Sequence, residues 1–205
     1  MTPSDPSNRL FAGGLVQPDR RTCGSASLVA ARLINRPEFA QQLLAGPVPQ
    51  ASFQAEALAV HRRTSGLLDA RGLPQLPWPR ALGTAPWSLV RYLDAVAGVP
   101  GTRYDARLVL PHQRARAFDW VRAAVLAGQA TPVYVGNRRT PRHVVLAVAS
   151  ESPDSIRIYD PSQGRRYPIE RRDWSAARLD VAGWRVPWLV VVPRHGTGQT
   201  RDEAR

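Results

Sequence analysis

The stretch "QPDRRTCGSASLVAARL", residues 17 to 33, holds the only cysteine of a 205-residue chain, and it sits where loop composition gives way to helix composition. From Thr22, a residue suited to an N-cap, the apolar set Ala26, Val29, Ala30 and Leu33 recurs at helical spacing, and Arg32 is the only charge before Asn35. The spacing predicts a helix buried on most sides, with Cys23 in its first turn. A thiol is a nucleophile as the thiolate, and the free N–H groups and dipole of a helix N-terminus favour negative charge there. Taken alone, a cysteine on an Ala-rich helix is more often a packed small residue. The rest of the chain has to decide between the two.

Six positions before Cys23 lies Gln17, an uncharged side-chain donor on the same loop. Acyl transfer needs donors aimed at the oxyanion of a tetrahedral intermediate. A Gln amide together with the backbone N–H of a helix-start cysteine supplies two of them. A base must come from four histidines. His61 falls inside a helical stretch beside Arg62 and Arg63, His112 follows a proline in a loop, and His195 lies near the end of the chain. His143 opens the apolar run "HVVLAV", where a sheet would hold its backbone rigidly. Asp160 closes the next run, "IRIYD". If the two runs pair as an antiparallel hairpin, the start of one lies beside the end of the other. Asp160 would then accept a hydrogen bond from the second ring nitrogen of His143. Asp154 falls in the intervening turn and is not expected at the ring.

The surrounding sequence fixes the class. A chain of 22.6 kDa with 43% hydrophobic residues and six tryptophans has the makings of one buried core, and its 19 prolines and 15 glycines predict many fixed turns. Helical stretches are expected at about 53 to 68, from Pro86 to near Gly98, and from Arg114 to Gly128. Strands are expected at 131–136, 142–150, 155–161, 165–174 and 184–193, rich in Val, Ile, Tyr and Trp and joined by connectors too short for parallel crossovers. Helices followed by a mostly antiparallel sheet make the class α+β. Residues 1 to 8 and 194 to 205 read as disordered ends around one domain at 9–193. "GLPQLPWPRALGT", residues 72 to 84, reads either as a rigid connector or as a wall of a peptide-binding cleft.

Several functions are disfavoured. One cysteine forms no internal disulfide and no multi-cysteine zinc site, and no metal or organic cofactor is implied. The net charge of +12 would ordinarily raise nucleic acid as a partner, but all 28 basic residues are arginine and they are scattered from Arg9 to Arg205, as a GC-rich codon bias would produce. Nucleic acid is therefore not expected. No stretch approaches 18 apolar residues and the first 15 carry no leader pattern, so the expectation is a cytoplasmic protein, or one exported without a Sec signal.

Gln17, then Cys23-Gly24-Ser25 at a helix start, then a strand-borne His143, then Asp160 on the next strand together resemble the papain-like cysteine peptidases. Within them, "CGSASLVAARL", "RHVVLAV" and "IYDPSQGR" are most similar to the bacteriocin-processing, double-glycine-leader type of peptidase domain. The resemblance implies a papain-like fold whose buried helix carries Cys23 as nucleophile, with His143 as general base and acid, Asp160 as its orienter and Gln17 as oxyanion donor. It also implies a peptide or protein substrate. Thr22 stands where that type commonly has aspartate, and residues 35 to 130 form an insertion without a counterpart. The same chemistry serves a glutamine deamidase or an acyl transferase. The same shell without turnover would be a binding module.

Overall fold

The computed structural model describes residues 14–45 and 48–194. Of the ends expected to be disordered, 1–8 and 194–205, all but Arg194, which pairs with Asp105, lie outside the described residues, His195 among them. The first helix, α1 (Cys23–Asn35), has ten of its thirteen residues buried. Its two serines are satisfied, one locally and one by a distant residue: Ser25 Oγ donates to the Thr22 carbonyl at 2.9 Å and Ser27 Oγ to the Val144 carbonyl at 3.3 Å. Buried hydroxyls with acceptors leave the small-residue face free to pack tightly. Three further helices, α2 (Pro37–Leu44), α3 (Pro49–Thr64) and α4 (Pro86–Tyr92), each open on a proline, where the missing N–H costs nothing. A π-helical turn, Leu93–Ala97, extends α4.

The sheet has six strands: β1 (Tyr104–Leu108), β2 (Thr131–Gly136), β3 (Pro141–Ser152), β4 (Ser155–Asp160), β5 (Arg165–Glu170) and β6 (Val186–Pro193). Their order is β1-β6-β2-β3-β4-β5 and every pairing is antiparallel. Two further helices, α5 (Arg114–Leu126) and α6 (Arg171–Ser175), lie in the second half. One core joins α1, α3 and α4 to Tyr134, Val144, Leu146 and Tyr159. A second joins α5 and α6 to Val133, Val145, Ile156 and Ile158 on alternate positions of the same strands. The period-2 alternation of a strand covered on both faces produces this division. An N-terminal helical region and a C-terminal antiparallel sheet thus form an α+β layered arrangement, with α5 and α6 on the face away from α1.

Some elements differ from the sequence reading. The strand expected to reach Trp174 stops at Glu170, because Arg171 N–H bonds the Asp154 carbonyl at 2.7 Å and the chain turns into α6. That turn buries Trp174 edge-on against Phe118 at 5.9 Å, with its indole N–H on the Arg114 carbonyl. Strand β1 and helix α2 are additional elements. Gly98 follows the π turn but in extended backbone, not a left-handed cap. It is there because a Cβ would lie 2.5 Å from the Tyr104 ring.

Candidate active site

The loop before α1 is fixed at several points. Thr22 occupies the N-cap position, but its hydroxyl faces back to the Asp19 carbonyl at 3.0 Å and makes no side-chain cap. The first N–H groups of α1, at and after Cys23, are left without that partner, which keeps the anion-favouring end of the helix open. Asp19 Oδ1 accepts the Arg21 N–H at 2.8 Å. Upstream, Gln17 N–H donates to the Pro161 carbonyl at 2.8 Å and the Tyr159 hydroxyl to the Leu15 carbonyl at 2.6 Å. The loop thereby lies across the end of β4. Gly164, at φ +64°, permits the crossing, since a Cβ there would sit 2.8 Å from the Gly14 carbonyl carbon.

The sheet register brings His143 and Asp160 together. Leu146 pairs with Tyr159, so Asp160 stands opposite Val145, and His143 lies two residues further along the same face. Diagonal neighbours of this kind are within reach of long side chains. His143 Nε2 and Asp160 Oδ1 are 2.8 Å apart, with both side chains buried. Cys23, a buried free thiol, lies close enough to the ring to act on it electrostatically. His143 is thus held by the Asp160 carboxylate and lies within the electrostatic influence of Cys23.

Asp160 is fully buried and well satisfied. Its Oδ1 also accepts the Ser162 N–H at 2.9 Å and hydroxyl at 2.7 Å, and Oδ2 accepts the Tyr167 hydroxyl at 3.0 Å. Burial pushes its pKa up, but the His143 hydrogen bond and charge and the Ser162 donors outweigh it and hold the carboxyl below its ordinary value. For His143 burial works against the cation, and the bond to Asp160, the interaction with Cys23 and the charges of both overcome it, raising the pKa from 6.5 to about 9. The imidazolium is the favoured form at neutral pH.

Gln17 is set apart from these contacts. Its Nε2 donates to the Asp19 carbonyl at 2.5 Å, while its Oε1 is buried without a hydrogen-bond partner. One amide hydrogen remains uncommitted. Asp154 is at the β3–β4 turn with its side chain 72% exposed, paired with Arg171 at 3.1 Å and away from the ring. His61 is buried in α3, with Nδ1 unpartnered and a pKa lowered by burial. His112 is exposed in a 3-10 turn, Pro111–Gln113.

Four side chains at the site escape the sequence reading. Ser162 and Tyr167 support Asp160. Tyr134, buried on β2, donates its hydroxyl to the Thr84 carbonyl at 2.9 Å, and the charge of Cys23 adds to burial in raising its pKa. Thr84 in turn presses on the residue after Cys23: a Cβ on Gly24 would lie 2.7 Å from Thr84 Cβ. Ser162 alone carried a signal, since Asp-x-Ser favours a side-chain-closed turn. A cavity of about 300 Å³ at the β1–β6 end, walled by Leu108, Pro111, Arg114 and Trp188, contains none of these groups. Among the described residues no group of three or more His, Cys, Asp or Glu side chains could hold a metal, and no helix is long and apolar enough to cross a membrane.

No family model matches the chain, and no curated protein matches it. Among solved structures it is similar to the Pseudomonas avirulence protein AvrPphB, over 89% of this chain and 98% of that one, at 9% identity and a TM-score of 0.44. A likeness at that level carries no argument about function, which rests on the groups around Cys23.

Proposed function

We propose that the chain is a papain-like thiol hydrolase of peptide or isopeptide bonds, of the double-glycine-leader processing type by its three sequence windows. The observation that carries the reading is a buried histidine bonded at 2.8 Å to a buried, fully satisfied carboxylate and acted on electrostatically by a thiol at a helix N-terminus. Cys23 sulfur attacks the substrate carbonyl carbon, and the resulting oxyanion takes hydrogen bonds from the Cys23 N–H and the free Gln17 amide hydrogen. The His143 imidazolium gives its proton to the leaving nitrogen as the C–N bond breaks, leaving a thioester. Neutral His143 then removes a proton from water, whose oxygen attacks the thioester. The acid departs, and the Cys23 thiolate and His143 imidazolium are restored. Asp160 holds the ring and favours its cationic form.

The test is the pH dependence of Cys23 alkylation by iodoacetamide. The expected rate persists well below the ordinary thiol range of about 8.5, and His143→Ala moves the profile up toward that range. A wild-type profile already in the ordinary range, unchanged by His143→Ala, would leave a packed cysteine and end the hydrolase reading.

A further inference from the structure

The segment between α3 and α4 is ordered yet turned inside out. Its amide side chain is inside: Gln75 is buried, and its Nε2 lies 3.0 to 3.1 Å from the carbonyls of Arg63, Gly66 and Leu68. Asp69 Oδ1 accepts the N–H groups of Arg71 and Leu73, and Arg91 ties Asp69 Oδ2 and the Pro74 carbonyl to α4. Main-chain bonds from Asp69 to Leu73 and from Gln75 to Leu67 close a small antiparallel turn. The leucines face outward. Leu67 is 69% exposed, Leu68 54%, Leu73 54%, Leu76 72% and Leu82 65%. Scattered exposed leucines need no explanation, but a run of them on a rigid, internally hydrogen-bonded loop is an unfilled contact surface.

The rim of this surface is cationic. Arg62 and Arg63 in the last turn of α3, Arg80 beside Leu82, and Arg20 and Arg21 before Cys23 are all exposed, and none has an ion-pair partner among the described residues. The nearby acids are committed, Asp69 to Arg91 and two backbone N–H groups and Asp19 to the Arg21 N–H. The surface also leads to the nucleophile. Trp78 and Trp87 stack edge-to-face at 5.1 Å beneath it, and Gly83, at φ +80°, would carry a Cβ 3.5 Å from the Arg21 carbonyl. Thr84, the next residue, packs on Gly24.

We infer that the Leu67–Leu82 surface docks a segment of the protein substrate that presents both apolar and acidic side chains, delivering the adjoining peptide to Cys23. The inference rests on the hydrolase reading for its occupant. Leucines accept the apolar side chains, the unpaired arginines select acidic ones over basic ones, and the Gly83–Thr84 link sets the path from docking surface to thiol. An anionic membrane or a second copy would meet the same leucines, but neither accounts for their continuity with the segment at the nucleophile.

The test uses the full chain carrying Cys23→Ala, so that docking is read without turnover, and a displayed library of random 12-residue peptides. Enriched peptides are expected to combine Leu, Ile or Phe with Asp or Glu. Their affinity, read by fluorescence anisotropy of one labelled enriched peptide, is expected to fall at least 10-fold in Leu67→Ser/Leu76→Ser and in Arg62→Glu/Arg63→Glu. Both pairs are exposed, so melting curves should stay at the parent value. Enrichment of basic or purely polar peptides, or affinity unchanged in both variants, overturns the inference. So does a shift from dimer to monomer in the leucine variant by sedimentation, or leucine-dependent binding to phosphatidylglycerol vesicles in place of the peptide. Alkylation of Cys23 in the unsubstituted chain reports separately on the hydrolase reading, so the two fail distinguishably.

Discussion

Replacing Asp160 with asparagine isolates charge from geometry. The Asn carbonyl still accepts the His143 N–H at the 2.8 Å position of Oδ1, and the Tyr167 hydroxyl still has a neighbour on the other side. What disappears is a fully buried negative charge. The rise of the His143 pKa from 6.5 to about 9 corresponds to about 3 kcal/mol in favour of the imidazolium. Burial opposes that rise, and the Asp160 bond is the first of the contributions that overcome it. Without the charge, burial brings His143 back toward 6.5 or below. At pH 7.5 the ring then changes from more than roughly nine-tenths protonated to about one-tenth. Cys23 alkylation at that pH is expected to fall about 10-fold, and turnover on the order of 10²-fold or more, since the ring also loses its electrostatic partner in the transition state. The pH dependence of stability also differs between the two proteins. Because the folded His143 pKa is raised, its contribution is complete below pH 6.5 and is lost as pH rises through about 9. Wild-type melting temperature should therefore drop across that window, and Asp160→Asn should flatten the drop. Asp154→Asn, at an exposed carboxylate paired with Arg171, should match wild type throughout. Alkylation and melting profiles of Asp160→Asn that coincide with those of Asp154→Asn would refute the assignment of the acid and the electrostatics behind it.

Two further outcomes are expected. Gln17→Ala should lower kcat by roughly 10-fold to 1,000-fold with little change in KM, because an oxyanion donor acts in the transition state; steady-state kinetics with melting controls check it, and an unchanged kcat in a folded variant removes Gln17 from the mechanism. His61 is buried with an unpartnered Nδ1 and a pKa lowered by burial, so the folded state binds fewer protons there than the unfolded one. Stability is lost as pH falls below 6.5; His61→Phe should flatten the urea midpoint between pH 7.5 and 5, and an unaltered slope would mean the ring is solvated.

What could be read from the sequence follows from how local each signal is. The start of α1 was legible because Thr22 and the Ala26, Val29, Leu33 spacing lie within four turns of one another. β2 was legible in full because all six of its residues are buried on both sheet faces and read as one Val/Tyr run. β1, "YDARL", was not. It is an edge strand paired only to β6, with Tyr104 its single buried residue, so it carries neither alternation nor an apolar run. The face chosen by α5 was equally invisible, since Phe118 and Val121 mark an apolar stripe without saying which side of the sheet receives it. Residue types and chain order suffice to single out Cys23, His143 and Asp160 as candidates. Tyr167 and Tyr134 reach the site through strand register and loop approach, which no spacing in the sequence encodes.

Thr84 carries the same point into the insertion that had no counterpart in the sequence comparison. Its carbonyl is held by the Tyr134 hydroxyl, its side chain fills the space that a Cβ on Gly24 would need, and its own Oγ1 is buried without a partner. The glycine after Cys23 is thus required by a segment 60 residues further along the chain, and not by the turn it sits in. Gly83 reaches the Arg21 carbonyl from the same side. A segment packed on both flanks of Cys23 cannot be replaced independently of it. Of the stretch "GLPQLPWPRALGT", Gly83 and Thr84 are thus the residues that pack beside Cys23, a contact that a free connector would not make.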